Sequence, residues 1–293
     1  MDEDNDGLYE VYIGQNGGVV ANPNSKSLFA RFSKLESLNL TNLVTSKVTD
    51  MSNMFRQSAV TSLDLSSFDT SNVTNMSGMF FSSATTEIKG LDKFDTSKVT
   101  TMTSMFGSSA VTTIDLSNFD TSNVTNMSGM FNSAKATEIK GLNKLITSKV
   151  TNMSRMFSDT ELATLDVSSF DTSNVTNMIM MFYSSAATEI KGLDKFNTSN
   201  VTDMLYMFSS SSAATLDLSN FDTSNVTNMF AMFSSSSATT LDLSSFDTSK
   251  VTNMSSMFQG ASATTGYART QIDANKFNAS SNKPSGLTFV VKS

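Results

Sequence analysis

The chain has no histidine, no cysteine and no tryptophan, and only two prolines, Pro23 and Pro284, in 293 residues. Without cysteine there is no disulfide, no thiolate nucleophile and no lipid-modified N-terminal cysteine. Without histidine, most zinc sites and every imidazole general base are excluded. No apolar run approaches the ~18 residues that a membrane-spanning helix needs. Charged residues are sparse at 16%, and the balance is acidic at −7. Nucleic acid calls for clustered Lys and Arg against its phosphates, so no nucleic-acid partner is expected. The acidic opening MDEDNDGLYEVY reads as the start of an excerpt and not as a signal peptide.

What the chain does have is repetition. The string T-S-x-V-T-x-M-x-x-M-F occurs nine times, with its Val at Val48, Val73, Val99, Val124, Val150, Val175, Val201, Val226 and Val251. The steps are 25 or 26 residues, the period of a stacked solenoid in which each coil buries its face only against its neighbours. Residues 41–258 are therefore expected to form nine coils, with 1–40 and 259–293 as N- and C-terminal caps. Within residues 61–80, Leu63-Asp64-Leu65 alternates apolar and polar as a short strand does. Asp69-Thr70-Ser71-Asn72 is a run of turn formers. Met76, Met79 and Phe80 fall at i, i+3 and i+4, the spacing of one helical turn, with Asn75 as its N-cap. The expected fold is mainly β, with short parallel strands and one short helical turn per coil. The 26-residue coils carry an extra residue at or beside Gly90, Gly141 and Gly192, where a strand bulge is expected, so the larger unit is a 51-residue pair of coils.

Stacking turns equivalent residues into columns. The Met columns could bind a soft metal through thioethers, but they sit where the turn needs its buried face and read as core. The Phe columns read as core in the same way. The outward strand position alternates in sign along Asp64, Lys89, Asp115, Lys140, Asp166 and Lys191, then ends in the like-charged Asp217 and Asp242. Such alternation suits register control better than ligand binding. The Asp69, Asp95, Asp120, Asp171, Asp222 and Asp247 column reads as turn capping, with calcium between coils as the alternative. The Thr columns are too far apart in sequence for an ice-binding T-x-T array, and the N-V-T triplets read as turn residues. No catalytic residue, cofactor or metal ligand set is expected.

One stretch breaks the pattern. Between the two Met of each turn most coils carry small or polar residues such as Ser77-Gly78 or Thr103-Ser104. Three consecutive coils carry Ile179-Met180, Leu205-Tyr206 and Phe230-Ala231, with Tyr183 close by. Expected to face solvent, this apolar strip is the candidate interaction patch: Ile179, Met180, Tyr183, Leu205, Tyr206 and Phe230.

The repeat LDLSSFDTSNVTNMSGMF resembles the BspA-like leucine-rich-repeat surface proteins of bacteria, in a branch long labelled a domain of unknown function and common in wall-less and Gram-positive species. VYIGQNGGVVANPNSKSLFARFSKLESLNL is similar to the entry segment of that family, and GYARTQIDANKFNASSNKPSGLTFVV to its exit segment. Loops such as SSSSATTL lack the Cys and Leu often found there in the family. The resemblance implies a leucine-rich-repeat-like solenoid at the cell surface or outside the cell. It implies a non-catalytic adhesion or interaction module that takes a host or cell-surface protein, or itself, as partner, without membrane insertion by this stretch. The alternative is a self-associating spacer or stalk that displays another domain.

Overall fold

A computed structural model describes residues 9–14 and 17–292, so the opening acidic stretch before Tyr9, part of the expected N-terminal cap, lies outside the described residues. The chain is a repeat solenoid built from short parallel strands with little helix, and it divides into two compact units, Met1–Leu145 and Ile146–Ser293.

In the first unit, β1 (Tyr9–Tyr12) pairs in parallel with β3 (Leu35–Asn39), and β2 (Val19–Val20) with β4 (Leu43–Val44). Further along, β5 (Ser62–Asp64) pairs with β6 (Glu87–Lys89), and β7 (Thr113–Asp115) with β8 (Glu138–Lys140). In the second unit, β9 (Thr164–Asp166) pairs with β10 (Glu189–Lys191). There β11 (Thr240–Leu243), β12 (Thr265–Ala268) and β13 (Thr288–Val291) form one parallel sheet, with the helix α1 (Gln271–Asn278) between the last two strands in sequence.

The Met-rich turn departs from the helical reading. Met54 N–H bonds to Met51 O and Ser58 N–H to Phe55 O, each closing a tight turn, while Asn53 and Gln57 take left-handed φ of 56° and 54°. The left-handed residues turn alternate N–H groups out of the coil. Those of Met51, Asn53, Phe55 and Gln57 reach the carbonyls of Asn75, Ser77, Met79 and Phe81 in the next coil. A helix would use those donors within its own coil; here they join one coil to the next. The capping bond survives, since Asp50 Oδ1 accepts from Ser52 N–H at 2.8 Å and Asn75 Oδ1 from Ser77 N–H at 3.0 Å.

Residues 24–31, which lack the motif string, follow the same path. Ser25, Ser27, Phe29 and Arg31 donate to Asp50, Ser52, Met54 and Arg56, and the Phe29 ring stacks on Phe55 at 5.6 Å.

The core is a ladder of rings in each unit. Phe29, Phe55, Phe80, Phe106 and Phe131 stack at 5.4–6.1 Å in the first, and Phe157, Phe182, Phe208, Phe233 and Phe258 at 5.5–6.1 Å in the second. The flanking Met and Val are fully buried in nearly every coil, and each such side chain contributes roughly 1.5–3 kcal/mol on leaving water. Phe277 of α1 and Phe289 of β13 pack on Phe258 at 5.9 and 4.8 Å, where the motif coils end.

The extra residue of the 26-residue coils is indeed at the glycine, but it does not bulge a strand. Gly90, Gly141 and Gly192 each follow a strand with φ between 76° and 90° and lead into the 3-10 turns Leu91–Lys93, Leu142–Lys144 and Leu193–Lys195. A Cβ on Gly192 would lie 2.3 Å from Ser168 Cα and 2.4 Å from Ser168 N, so neither the torsion nor the space admits a side chain. Gly192→Ala is expected to cost about 3 kcal/mol in urea unfolding. Gly286→Ala, with nothing within 4 Å of its Cβ, should stay near wild type.

Candidate functional site

The three coils of the apolar strip keep the common backbone. Met181 N–H bonds to Met178 O at 3.1 Å, Met207 N–H to Met204 O at 3.2 Å and Met232 N–H to Met229 O at 3.2 Å. Asn177, Asp203 and Asn228 each accept, through Oδ1, from the N–H of Ile179, Leu205 and Phe230 at 2.8–3.1 Å. The coils are joined by Met180 N–H to Leu205 O at 2.9 Å and Tyr206 N–H to Phe230 O at 3.1 Å. The Asn228 amide also donates to both carboxylate oxygens of Asp203, at 3.2 and 3.1 Å, and fixes the floor beneath the strip.

This geometry brings the six sequence-selected residues together but exposes them less than expected. Ile179, Met180, Tyr183, Leu205, Tyr206 and Phe230 are all half-buried. The reason is mutual shielding: Tyr206 meets Tyr183 edge-on at 5.9 Å and Phe230 edge-on at 5.3 Å, so three rings form a continuous ridge. Met180 and Tyr206 stand in left-handed backbone, with φ of 56° and 55°. The matching position is left-handed in the other coils too, at Asn53, Gly78, Ser104, Gly129, Arg155, Ala231 and Ser256. A bulky side chain there costs roughly 1–2 kcal/mol. What sets this strip apart is the run of large apolar groups at a surface position on three adjacent coils. Its polar groups are two phenols, so it is suited to contact with an apolar surface rather than to proton transfer.

The other charged features are largely satisfied internally. In the alternating column Asp64 faces Lys89, Asp115 faces Lys140 and Asp166 faces Lys191 across paired strands. The Ser66, Ser117 and Ser168 hydroxyl and N–H groups hold those three carboxyls below the ordinary carboxylate range, with the lysines adding to the effect. Lys292, past β13, pairs with Asp242 and so relieves the like-charged end of the column. In the turn column Asp69 accepts from both Ser71 N–H and Oγ, and Asp95, Asp171, Asp222 and Asp247 each accept from the N–H of the serine two residues on. Those bonds, led by the serine hydroxyls, hold these carboxyls low as well. Among the described residues no three acidic side chains gather into a set able to hold a metal ion. Open clefts of about 680 and 510 Å³ follow β6 and β10, beside Gly90 and Gly192, where the next strand is not paired.

Two features escaped the sequence reading. The residue before the inward Val forms its own ladder, in which Asn72 Nδ2 donates to Ser46 O and Asn123 Nδ2 to Ser97 O, and Lys98 Nζ reaches Asn72 Oδ1 at 2.8 Å. The alternation of Lys47, Asn72, Lys98 and Asn123 is its signal. Arg56 also lies over the Phe81 ring at 4.6 Å, in the column that Tyr183 occupies later.

The family model described as a Mycoplasma protein of unknown function, DUF285, matches residues 24–141, 108–191 and 184–283. No curated protein and no solved structure matches the chain.

Proposed function

Since the chain belongs to the DUF285 family, whose description assigns no activity, we propose that it is a non-catalytic interaction module of the BspA-like kind, acting in adhesion at the cell surface or outside the cell. The observation that carries the reading is the strip itself, three adjacent coils that replace small polar residues with Ile179-Met180, Leu205-Tyr206 and Phe230, with Tyr183, Tyr206 and Phe230 meeting edge-on. A regular solenoid offers an extended surface for protein partners, and a local apolar ridge on such a surface marks where contact is made. The absence of histidine and cysteine from the sequence and the monotony of the coils leave enzyme catalysis without an obvious constellation. The partner is a host or cell-surface protein.

The test is an array of surface and matrix proteins probed with the wild-type chain and with Ile179→Ser, Leu205→Ser and Phe230→Ser combined. Wild type should bind, and the triple variant should lose at least about tenfold in affinity while keeping its circular dichroism. Concentration-dependent oligomers abolished by the same variant would instead establish a self-associating spacer. Unchanged behaviour in both assays would remove the strip as an interface.

A further inference from the structure

Seventeen of the twenty methionines are fully buried, each at 0% exposure. Met1 lies outside the described residues, and the remaining two, Met180 and Met254, are half-buried. These two differ in kind. Met254 belongs to a core column and is left half open at the last motif coil, where its carbonyl accepts from Ser280 Oγ at 3.2 Å. Met180 belongs to no core column. Its backbone is left-handed at φ 56°, its N–H bonds to Leu205 O at 2.9 Å and its carbonyl accepts from Tyr183 N–H at 3.2 Å.

We infer that Met180 is an oxidant-sensitive modification site that switches the apolar strip. The chemistry asks for a peroxide and nothing else. The thioether sulfur attacks one peroxide oxygen, the O–O bond breaks and an S–O bond forms. Sulfur is oxidised by two electrons, and the second oxygen leaves as water. The product sulfoxide is polar and chiral where the thioether was apolar and flexible. At a buried Met that change would break packing, and burial keeps peroxide out until the coil opens. At the half-buried Met180 the fold should survive, and the polar change falls on the apolar strip. Methionine sulfoxide reductases reverse the step, so the site is reusable. The consequence for binding rests on the docking role proposed for the strip; the chemical selectivity does not.

The experiment treats folded protein with dilute hydrogen peroxide over a time course and places the added oxygen by tandem mass spectrometry. Met180 should gain oxygen at least about tenfold faster than its sequence neighbours Met178 and Met181, and all methionines should react alike once the chain is unfolded in denaturant. Retention of the singly oxidised wild type on a hydrophobic-interaction column should fall, and that of peroxide-treated Met180→Leu should not. If Met178 or Met181 keeps pace with Met180 in folded protein, the site is overturned. Unchanged retention after selective oxidation of Met180 overturns the switch. If site and switch hold but the reduced protein binds nothing on the array, the docking reading fails while the modification site stands.

Discussion

Phe208→Ala is expected to destabilise the second unit by about 4 kcal/mol. The Phe208 ring is fully buried, stacked between Phe182 at 5.5 Å and Phe233 at 5.8 Å, with Phe221 tilted against it at 6.3 Å. Truncation removes the transfer energy of the ring and leaves a cavity whose walls are held in place by hydrogen bonds between coils. Phe208 N–H itself bonds to Met232 O at 2.9 Å and Phe182 N–H to Met207 O at 3.0 Å, so the backbone resists collapse into the void. Stability in such an array is a sum of coils and nearest-neighbour interfaces, so the loss concentrates on the coils flanking position 208. Urea unfolding followed by hydrogen exchange should show early loss of protection across 178–233. Phe230→Ala is the matched comparison, with the same residue type half-buried on the strip, and should cost about 1 kcal/mol or less. Equal losses at both positions would mean that the ring ladder is not the stabilising core.

Asp273→Ala is expected to cost about 3 kcal/mol and to release the segment after Phe258. In the preceding coils a buried Thr hydroxyl donates to the backbone carbonyl of the next coil, as Thr198 does to Asp222 O at 2.8 Å and Thr223 to Asp247 O at 3.0 Å. At Thr248 a side-chain carboxylate takes the place of that carbonyl. Asp273 Oδ1, on α1, accepts from Thr248 Oγ1 at 2.6 Å and from Thr248 N–H at 3.1 Å. Its Oδ2 accepts from Thr270 Oγ1 at 2.6 Å and from Arg269 Nε at 3.3 Å. Asp273→Asn keeps an acceptor for Thr248 but loses one for Thr270 and Arg269, so it should cost roughly half as much. Burial pushes the Asp273 carboxyl up, but its bonds to Thr248, Thr270 and Arg269 outweigh that and hold it below the ordinary carboxylate range. A group depressed in the folded state stabilises the fold in full above its unfolded value, and the stabilisation is lost as pH falls through the folded value. Acid should therefore loosen the C-terminal segment, visible as exchange of amides in 265–291, and Asp273→Asn should flatten that response. An acid response of the same size in the variant would mean other carboxyls govern it.

The period, the inward columns and the position of the extra residue were legible because each is written many times over, and a misplaced residue in one coil is outvoted by the rest. The turn geometry was not. Met at i and i+3 with Phe at i+4 fits a helix and a pair of tight turns equally well, since both put those side chains on one side. What decides between them is that the next coil offers carbonyls to every second N–H, a fact of stacking rather than of local sequence. The left-handed position left no clear signature either, because Asn53, Gly78, Ser104, Arg155 and Tyr206 all occupy it. The turn at 24–31 was hidden by the loss of the motif string, although Asn24 and Phe29 stand where Asp50 and Phe55 do. Asp273 occurs once, and nothing in its neighbourhood marks it as the acceptor for Thr248. The strip was legible as an interruption, but its ridge of edge-on rings and its partial burial depend on how three coils meet.

The one-way run of hydrogen bonds in the Met turns bears on heredity. Each donor and its acceptor occupy nearly equivalent places in successive coils, as Asn53 and Ser77 do, or Ser104 and Ser128. An in-frame loss or gain of one 51-residue pair inside either unit would therefore join donors to acceptors of the same kind and set Phe on Phe again. A product lengthened or shortened in whole pairs is therefore expected to keep both its hydrogen-bond ladder and its ring ladder. The strip is the part that does not survive such a change unmarked, since it depends on three particular coils in order.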